Sequence, residues 1–371
     1  VAESTVHTAQ THDLESGMPT VSEDQVLSAL RVVQDPDLHR DIVSLGFVKD
    51  VRICEGAVAF KVELTTPACP VKDELKAQAH AVVSALPGVT SVSVDMTAQV
   101  RNRDMTPADL IPGVRHVIAV ASGKGGVGKS TVSANLAIAL AQTGAKVGLL
   151  DADIYGPSMP LMMGTTKKPL LKETPGGPKM VPVMAHGVLV MSLGFLLDEN
   201  KAVIWRGPMV AGTVRQLLAD VVWGELDYMV VDLPPGTGDA PLTLAQQVPL
   251  SGVVIVTTPQ QVAQEIANKS VLMFRMLSQG GRREIPILGV IENMSGGVFG
   301  SGGGETAAQR FGVPFLGRVP MDPAVCESGD SGVPIVISSS ESDAAQAFRS
   351  LAGSLAARIS VLEYEAAGSE S

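Results

Sequence analysis

The apolar and polar positions of this chain follow two different patterns. From Ser22 to about Val100, short alternating runs mix with two helical ones. Ser22 is placed to cap a helix running to Val33, with Glu23 and Asp24 in the first turn, where the helix dipole favours acids; Asp35-Pro36-Asp37 then stops it. Two strand-like runs follow at 48–54 and 57–64, the second alternating Val58, Phe60, Val62, Leu64. A helix over 71–86, the turn Pro87-Gly88 and a last strand over 89–96 complete a small α+β domain, expected at 21–100.

Beyond it the pattern breaks. Arg101-Asn102-Arg103-Asp104 with Pro107 and Pro112 reads as a linker over 101–113. From 114 to 362 continuous apolar runs alternate with helical patterns, which predicts an α/β domain with a mainly parallel sheet covered by helices on both faces. The strands are expected to end at Leu150, Leu193, Val231, Val256, Ile291 and Leu316, and ligands of such sheets bind just beyond strand ends. The polar termini, 1–20 and 363–371, are expected to be disordered.

The chemistry gathers at those strand ends. After the apolar run at 115–122 comes Gly123-Lys124-Gly125-Gly126-Val127-Gly128-Lys129-Ser130-Thr131, followed by a helical pattern to Gln142. Glycines let backbone N–H groups surround phosphate oxygens, and the helix start adds its positive end. In this P-loop pattern Lys129 reaches the β- and γ-phosphates and the Ser130 hydroxyl ligates Mg²⁺. A glycine turn also serves as a plain strand-to-helix connection, but the full pattern in the right flanks favours phosphate.

Asp151-Ala152-Asp153 follows the next strand, placing two carboxylates where they suit Mg²⁺ waters and an attacking water; aspartate at a strand end is also an ordinary turn residue. Asp232 ends a hydrophobic strand, as an acid that accepts from Mg²⁺-bound water does, and the turn Pro234-Pro235-Gly236-Thr237-Gly238 is suited to a γ-phosphate switch. Asn293, after another strand, carries an amide able to pair with a base edge. In the small domain, Thr65-Thr66-Pro67-Ala68-Cys69-Pro70 sets Cys69 at the start of a helix, where a thiolate is favoured; a small buried hydrophobe is the plainer reading.

Charge and cysteine usage narrow the class. With 28 basic and 38 acidic residues the net charge is -10, which disfavours a general nucleic-acid binder. The one tight basic cluster is Arg282-Arg283. Three scattered cysteines, Cys54, Cys69 and Cys326, make no disulfide framework and suit a reducing cytoplasm. Without a long apolar stretch or an apolar leader, neither membrane insertion nor a signal peptide is expected.

The second lysine of the loop, Lys124, gives it the form K-G-G-x-G-K-[ST], which resembles the deviant Walker A motif of the MinD/ParA/nitrogenase-iron-protein ATPases. That resemblance implies ATP as ligand, a homodimer in which Lys124 reaches the partner's nucleotide, Asp151 near the metal, Asp153 positioning the water, and Asn293 on adenine. The small domain, with Asp35-Pro36-Asp37 and the Cys69 stretch, resembles SufT- and PaaD-like iron-sulfur assembly factors. Taken with Asp151-Ala152-Asp153-Ile154-Tyr155-Gly156-Pro157-Ser158, Trp205-Arg206-Gly207-Pro208, 232–239 and Glu292-Asn293-Met294-Ser295, the chain resembles the Mrp/ApbC iron-sulfur cluster carriers over about 22–360. This implies ATP hydrolysis coupled to delivery of clusters to apoproteins, with assembly factors as partners.

One departure stands out. Where that family carries Cys-x-x-Cys for a [4Fe-4S] cluster shared by two protomers, this chain reads Gly296-Gly297-Val298-Phe299-Gly300-Ser301-Gly302-Gly303-Gly304. The expectation is therefore a labile cluster, with Cys69 as the candidate iron ligand, or an ATPase of cluster maturation that carries none. A MinD/ParA-like positioning ATPase is the alternative, and it needs a basic DNA face or an amphipathic membrane helix. The last helical pattern, 342–362, runs instead into Glu363, Glu365 and Glu370, which oppose anionic lipid.

Overall fold

The computed structural model describes residues 21–100, 111–196, 207–279 and 285–369. The expected tail at 1–20, most of the linker, Trp205-Arg206 and Arg282-Arg283 lie outside the described residues. The chain divides into two compact units, Val1–Glu63 with Val71–Thr97, and Leu64–Pro70 with Ala98–Ser371.

In the first unit α1 (Glu23–Leu30) opens with a full capping box. Gln25 N donates to Ser22 Oγ at 3.3 Å and Ser22 N to Gln25 Oε1 at 2.9 Å. The helix stops three residues before the expected Val33. Asp35 then organises the turn between the short strands β1 (Gln34–Asp35) and β2 (Arg40–Asp41), its carboxylate accepting from Asp37 N and Leu38 N at 2.9 Å. Strands β3 (Val48–Cys54), β4 (Ala57–Leu64) and β5 (Ser91–Ala98) form one sheet in that order, accompanied by α2 (Lys72–Ser84). The alternation in β4 is real: Val58, Phe60, Val62 and Leu64 are buried.

Residues 64–70 depart from the expected uninterrupted domain at 21–100. They belong to the second unit because Ala68 is buried in its core, Thr66 Oγ1 lies 2.8 Å from Tyr228 Oη, and Thr65 Oγ1 donates to Ser360 Oγ at 3.1 Å.

The second unit is built on strands β6 (Val114–Ser122), β7 (Val147–Asp151), β10 (Val183–Ala185), β11 (Val188–Ser192), β12 (Leu226–Asp232), β13 (Gly252–Thr257), β14 (Ile287–Ser295) and β15 (Phe315–Pro320). They form one sheet in the order β10-β11-β7-β12-β6-β13-β14-β15, parallel except for the β10–β11 pair. A ribbon of β8 (Leu170–Thr174) and β9 (Gly177–Val181) stands apart from it. The helices are α3 (Lys129–Gln142), α4 (Met159–Met162), α5 (Gly207–Ala219), α6 (Asp239–Gln247), α7 (Gln261–Gln279), α8 (Gly303–Phe311), α9 (Pro323–Asp330), α10 (Ile335–Ser338) and α11 (Asp343–Ser369). Every residue of β7 and β13 is buried, as expected of strands covered on both faces.

Three boundaries move in this unit. β14 and β15 run four residues past Ile291 and Leu316, because the two strands go on pairing, through irregular steps in register, as far as Ser295 and Pro320. The tail expected from 363 is helical through Ser369. Glu, Tyr and Ala are all compatible with a helix there, and the first weak helix former is Gly368. No helix among the described residues is long and apolar enough to cross a membrane.

Phe348 of α11 is fully buried in the core of this unit. Phe348→Ala should lower unfolding free energy by about 3–5 kcal/mol, checked by urea denaturation followed by circular dichroism.

Candidate functional site

The glycine loop joins β6 to α3, and Gly123, Gly126 and Gly128 are each required in it. Gly126 and Gly128 have φ of 81° and 76°, where a side chain is strained. A Cβ on Gly123 would sit 2.4 Å from Ile266 O, and one on Gly128 would sit 2.2 Å from the Asn293 amide nitrogen. The loop is also tied to the next strand ends: Ser122 Oγ donates to Lys124 O at 3.0 Å, and Gly236 N to Ser122 O at 2.8 Å. The proline-glycine turn after Asp232 is thus hydrogen-bonded to the strand that feeds the loop.

Asp232 is completely buried at the end of β12. Lys129 Nζ lies 2.7 Å from its Oδ2, Ser130 Oγ donates to Oδ2 at 2.6 Å, and Ser133 Oγ is 2.6 Å from Oδ1. Lys129 Nζ is also 3.6 Å from Asp153 Oδ2. Burial raises the Asp153 carboxyl above its ordinary range; the Lys129 charge opposes this and that of Asp232 adds to it. The sequence-expected Lys129, Ser130, Asp153 and Asp232 therefore meet at one point.

Among the described residues no three His, Cys, Asp or Glu side chains form a ready metal cage. The donors at this point are nevertheless hard oxygens with surplus negative charge around a single lysine. That fits Mg²⁺, which takes one or two protein oxygens and completes its shell with water and phosphate. Ser130 and Asp232 are the residues suited to it.

Asp151 has a different use from the one expected. Its Oδ1 accepts from Asp153 N at 3.2 Å, and its Oδ2 from Ser158 N at 3.1 Å, Met159 N at 3.1 Å and Ser192 Oγ at 2.9 Å. Both oxygens are engaged by the protein, so Asp151 anchors the loop that carries Asp153. Burial, then the charge of Asp232, pushes its pKa up to about 7.

Asn293, expected on a base, donates its amide to Val127 O at 2.9 Å and is buried. It braces the glycine loop from β14. Next to it Glu292, fully buried, accepts from Ser295 Oγ at 2.6 Å, Gly302 N at 3.1 Å and Gly304 N at 2.6 Å. The glycine stretch in place of Cys-x-x-Cys is folded around this carboxylate, and Val298 at its tip is 84% exposed. Sequence reasoning missed Ser133, Ser192 and the work of Glu292. Only the helical spacing of Ser133 from Lys129 carried any signal.

Cys69 is half-buried and lies in the turn before α2, whose cap is Val71 and first residue Lys72. It precedes the first turn rather than sitting in it, so the helix-start argument for its thiolate does not apply. Cys54, expected inside a strand pattern, is exposed at the end of β3, and Cys326 is exposed on α9. Lys124 is partly exposed on the loop.

The NUBPL iron-transfer P-loop NTPase profile of the ParA group matches residues 113–356, and an iron-sulfur cluster assembly protein profile matches 23–94. The chain is 47% identical over 351 residues to the iron-sulfur cluster carrier protein of Synechocystis, covering 91% of this chain and 98% of that one. It is 46% identical to the chloroplastic Fe-S cluster assembly factor HCF101 of Arabidopsis thaliana, covering 89% of this chain and 63% of that one. Among solved structures, the ADP complex of a nucleotide-binding protein from Archaeoglobus fulgidus matches with TM-score 0.54 and 36% identity, over 66% of this chain and 98% of that one. The cell division ATPase MinD of Pyrococcus furiosus shares the fold, with TM-score 0.51 and 24% identity over 65% and 98% of the two chains. On the glycine loop, the strand-end acids and these matches, the chain belongs to the NUBPL iron-transfer P-loop NTPases.

Proposed function

We propose that this protein is an ATP-hydrolysing iron-sulfur cluster carrier or assembly factor that delivers clusters to apoproteins as a nucleotide-dependent homodimer. The observation that carries this reading is the buried Lys129 held between Asp232 and Asp153 at the mouth of the glycine loop. A lysine so placed needs only a small side-chain movement to exchange a carboxylate for a phosphate. The loop N–H groups and the start of α3 receive the phosphates, while Ser130 and Asp232 hold Mg²⁺. Mg²⁺, when bound, draws charge from the phosphate oxygens. Asp153 orients the attacking water, and Lys124 from a second copy adds positive charge to the phosphates. The turn at 234–238, hydrogen-bonded to β6 through Gly236, is the segment suited to report the γ-phosphate.

The cluster is cargo. Its ligation here rests on Cys69, and two protomers supply two such thiolates where a [4Fe-4S] cluster usually takes four. A maturation ATPase that leaves the cluster on its partners is the second reading, favoured by the glycine stretch 296–304. Anaerobic reconstitution with iron and sulfide, followed by transfer to an apoferredoxin, separates the two. Substoichiometric, chelator-sensitive iron that is lost in Cys69→Ser and kept in Cys326→Ser supports carriage. An iron-free wild type supports the second reading.

Lys129→Ala should lower ATP affinity by at least about tenfold through loss of a charge-assisted contact to phosphate. Asp153→Asn should keep ATP bound while slowing turnover by about a hundredfold. Isothermal titration and single-turnover phosphate release test both, and near-normal hydrolysis by either variant would remove the mechanism.

Asn293→Ala should weaken ADP and GDP binding by similar factors, because its loss loosens the glycine loop itself. A loss confined to the adenine nucleotide would return Asn293 to base recognition.

A further inference from the structure

Ser192 is fully buried at the end of β11, opposite Asp151 in the parallel register of β11 and β7. Its single hydroxyl proton goes to Asp151 Oδ2 at 2.9 Å, and its oxygen accepts Gly194 N at 2.9 Å. The same Asp151 carboxylate receives Asp153 N, Ser158 N and Met159 N, so it closes the loop from Asp153 to the start of α4 into a ring. The ring is buried at its base, while Tyr155 at its crown is 61% exposed. The turn after Ser192 also packs against this loop. A Cβ on Gly194 would sit 2.9 Å from Pro160 Cγ and 3.4 Å from Pro157 Cβ.

We propose that Ser192 is a positioning residue for hydrolysis: through Asp151 it fixes the loop that holds Asp153 at the phosphate site. This rests on the ATPase reading above. Removing the hydroxyl takes from Gly194 N its acceptor and leaves Asp151 Oδ2, buried away from solvent, one donor short. The carboxylate is then free to turn about its Cβ–Cγ bond, and the Asp153 backbone, held by Oδ1, turns with it. Asp153 reaches its water through a single short side chain, so a small shift of that backbone is felt in the chemical step rather than in binding. Lys129 and the glycine loop, which dominate nucleotide affinity, lie between the end of β6 and the start of α3, whereas the Ser192 hydroxyl bonds to Asp151 and Gly194.

The test compares full-length wild type, Ser192→Ala and Ser192→Thr in ATP hydrolysis, with ADP affinity and melting temperature measured on each. Ser192→Ala should lower kcat by about tenfold and leave KM and ADP affinity within about twofold, the split expected of a group that acts only in the transition state. Ser192→Thr, which keeps the hydroxyl, should recover most of the loss. Should the threonine not fit, Ser192→Cys, of similar size but a weak donor, should behave like the alanine variant. Unchanged kcat in Ser192→Ala, or a lowered melting temperature with normal kcat, overturns the proposal and leaves Ser192 a structural residue. A wild type that binds ATP and never hydrolyses it removes the hydrolysis reading itself, and this inference with it.

Discussion

The site depends on one buried contact, the ion pair of Lys129 with Asp232. A carboxylate with no solvent exposure at the end of a central strand is costly unless it is paired and hydrogen-bonded, and here it has the lysine and two serine hydroxyls. Those partners all come from the first turns of α3. The pairing therefore fixes the start of that helix against β12, and with it the direction in which the glycine loop opens. A ligand phosphate that takes over the lysine must leave Asp232 another cation, which is why a metal and a nucleotide suit this site together.

The surrounding loops are held by a common device. Short or acidic side chains at the ends of β7, β11 and β14 spend their polar atoms on backbone groups of the following or neighbouring loop. Asp151 closes the loop to α4, Asn293 braces the glycine loop, and Glu292 gathers the glycine stretch before α8. Loops fixed this way can carry glycines at positive φ without losing their shape, and a fixed geometry is what phosphate binding by N–H groups requires. The stretch at 296–304 keeps such a scaffold although it has no thiolate to offer.

Much of this was legible beforehand. The alternation in β4, the cap at Ser22 and the unbroken apolar strands of the larger unit are local patterns, and each is the element it announces. The glycine loop and the two acids Asp153 and Asp232 were legible for the same reason: their spacing and their place after a strand are properties of neighbouring residues. The helical continuation through Ser369 is masked by an acidic, polar composition and follows from the helix propensity of the residues themselves.

The sequence by itself determined the order of elements, the class of fold and the position of the phosphate loop, because backbone sterics and hydrophobic periodicity act within a few residues. Only the tertiary structure decided what each polar side chain is bonded to. Asp151 meets Ser192 across 41 positions and Asn293 meets Val127 across 166, and no local pattern encodes such a partner. The same holds for Cys69, whose neighbours Thr66 and Ala68 are held by the larger unit while the helix that was to activate the thiol begins at Lys72. Burial removes water as an alternative partner, so packing of distant strands chooses which hydrogen bond each of these groups must make.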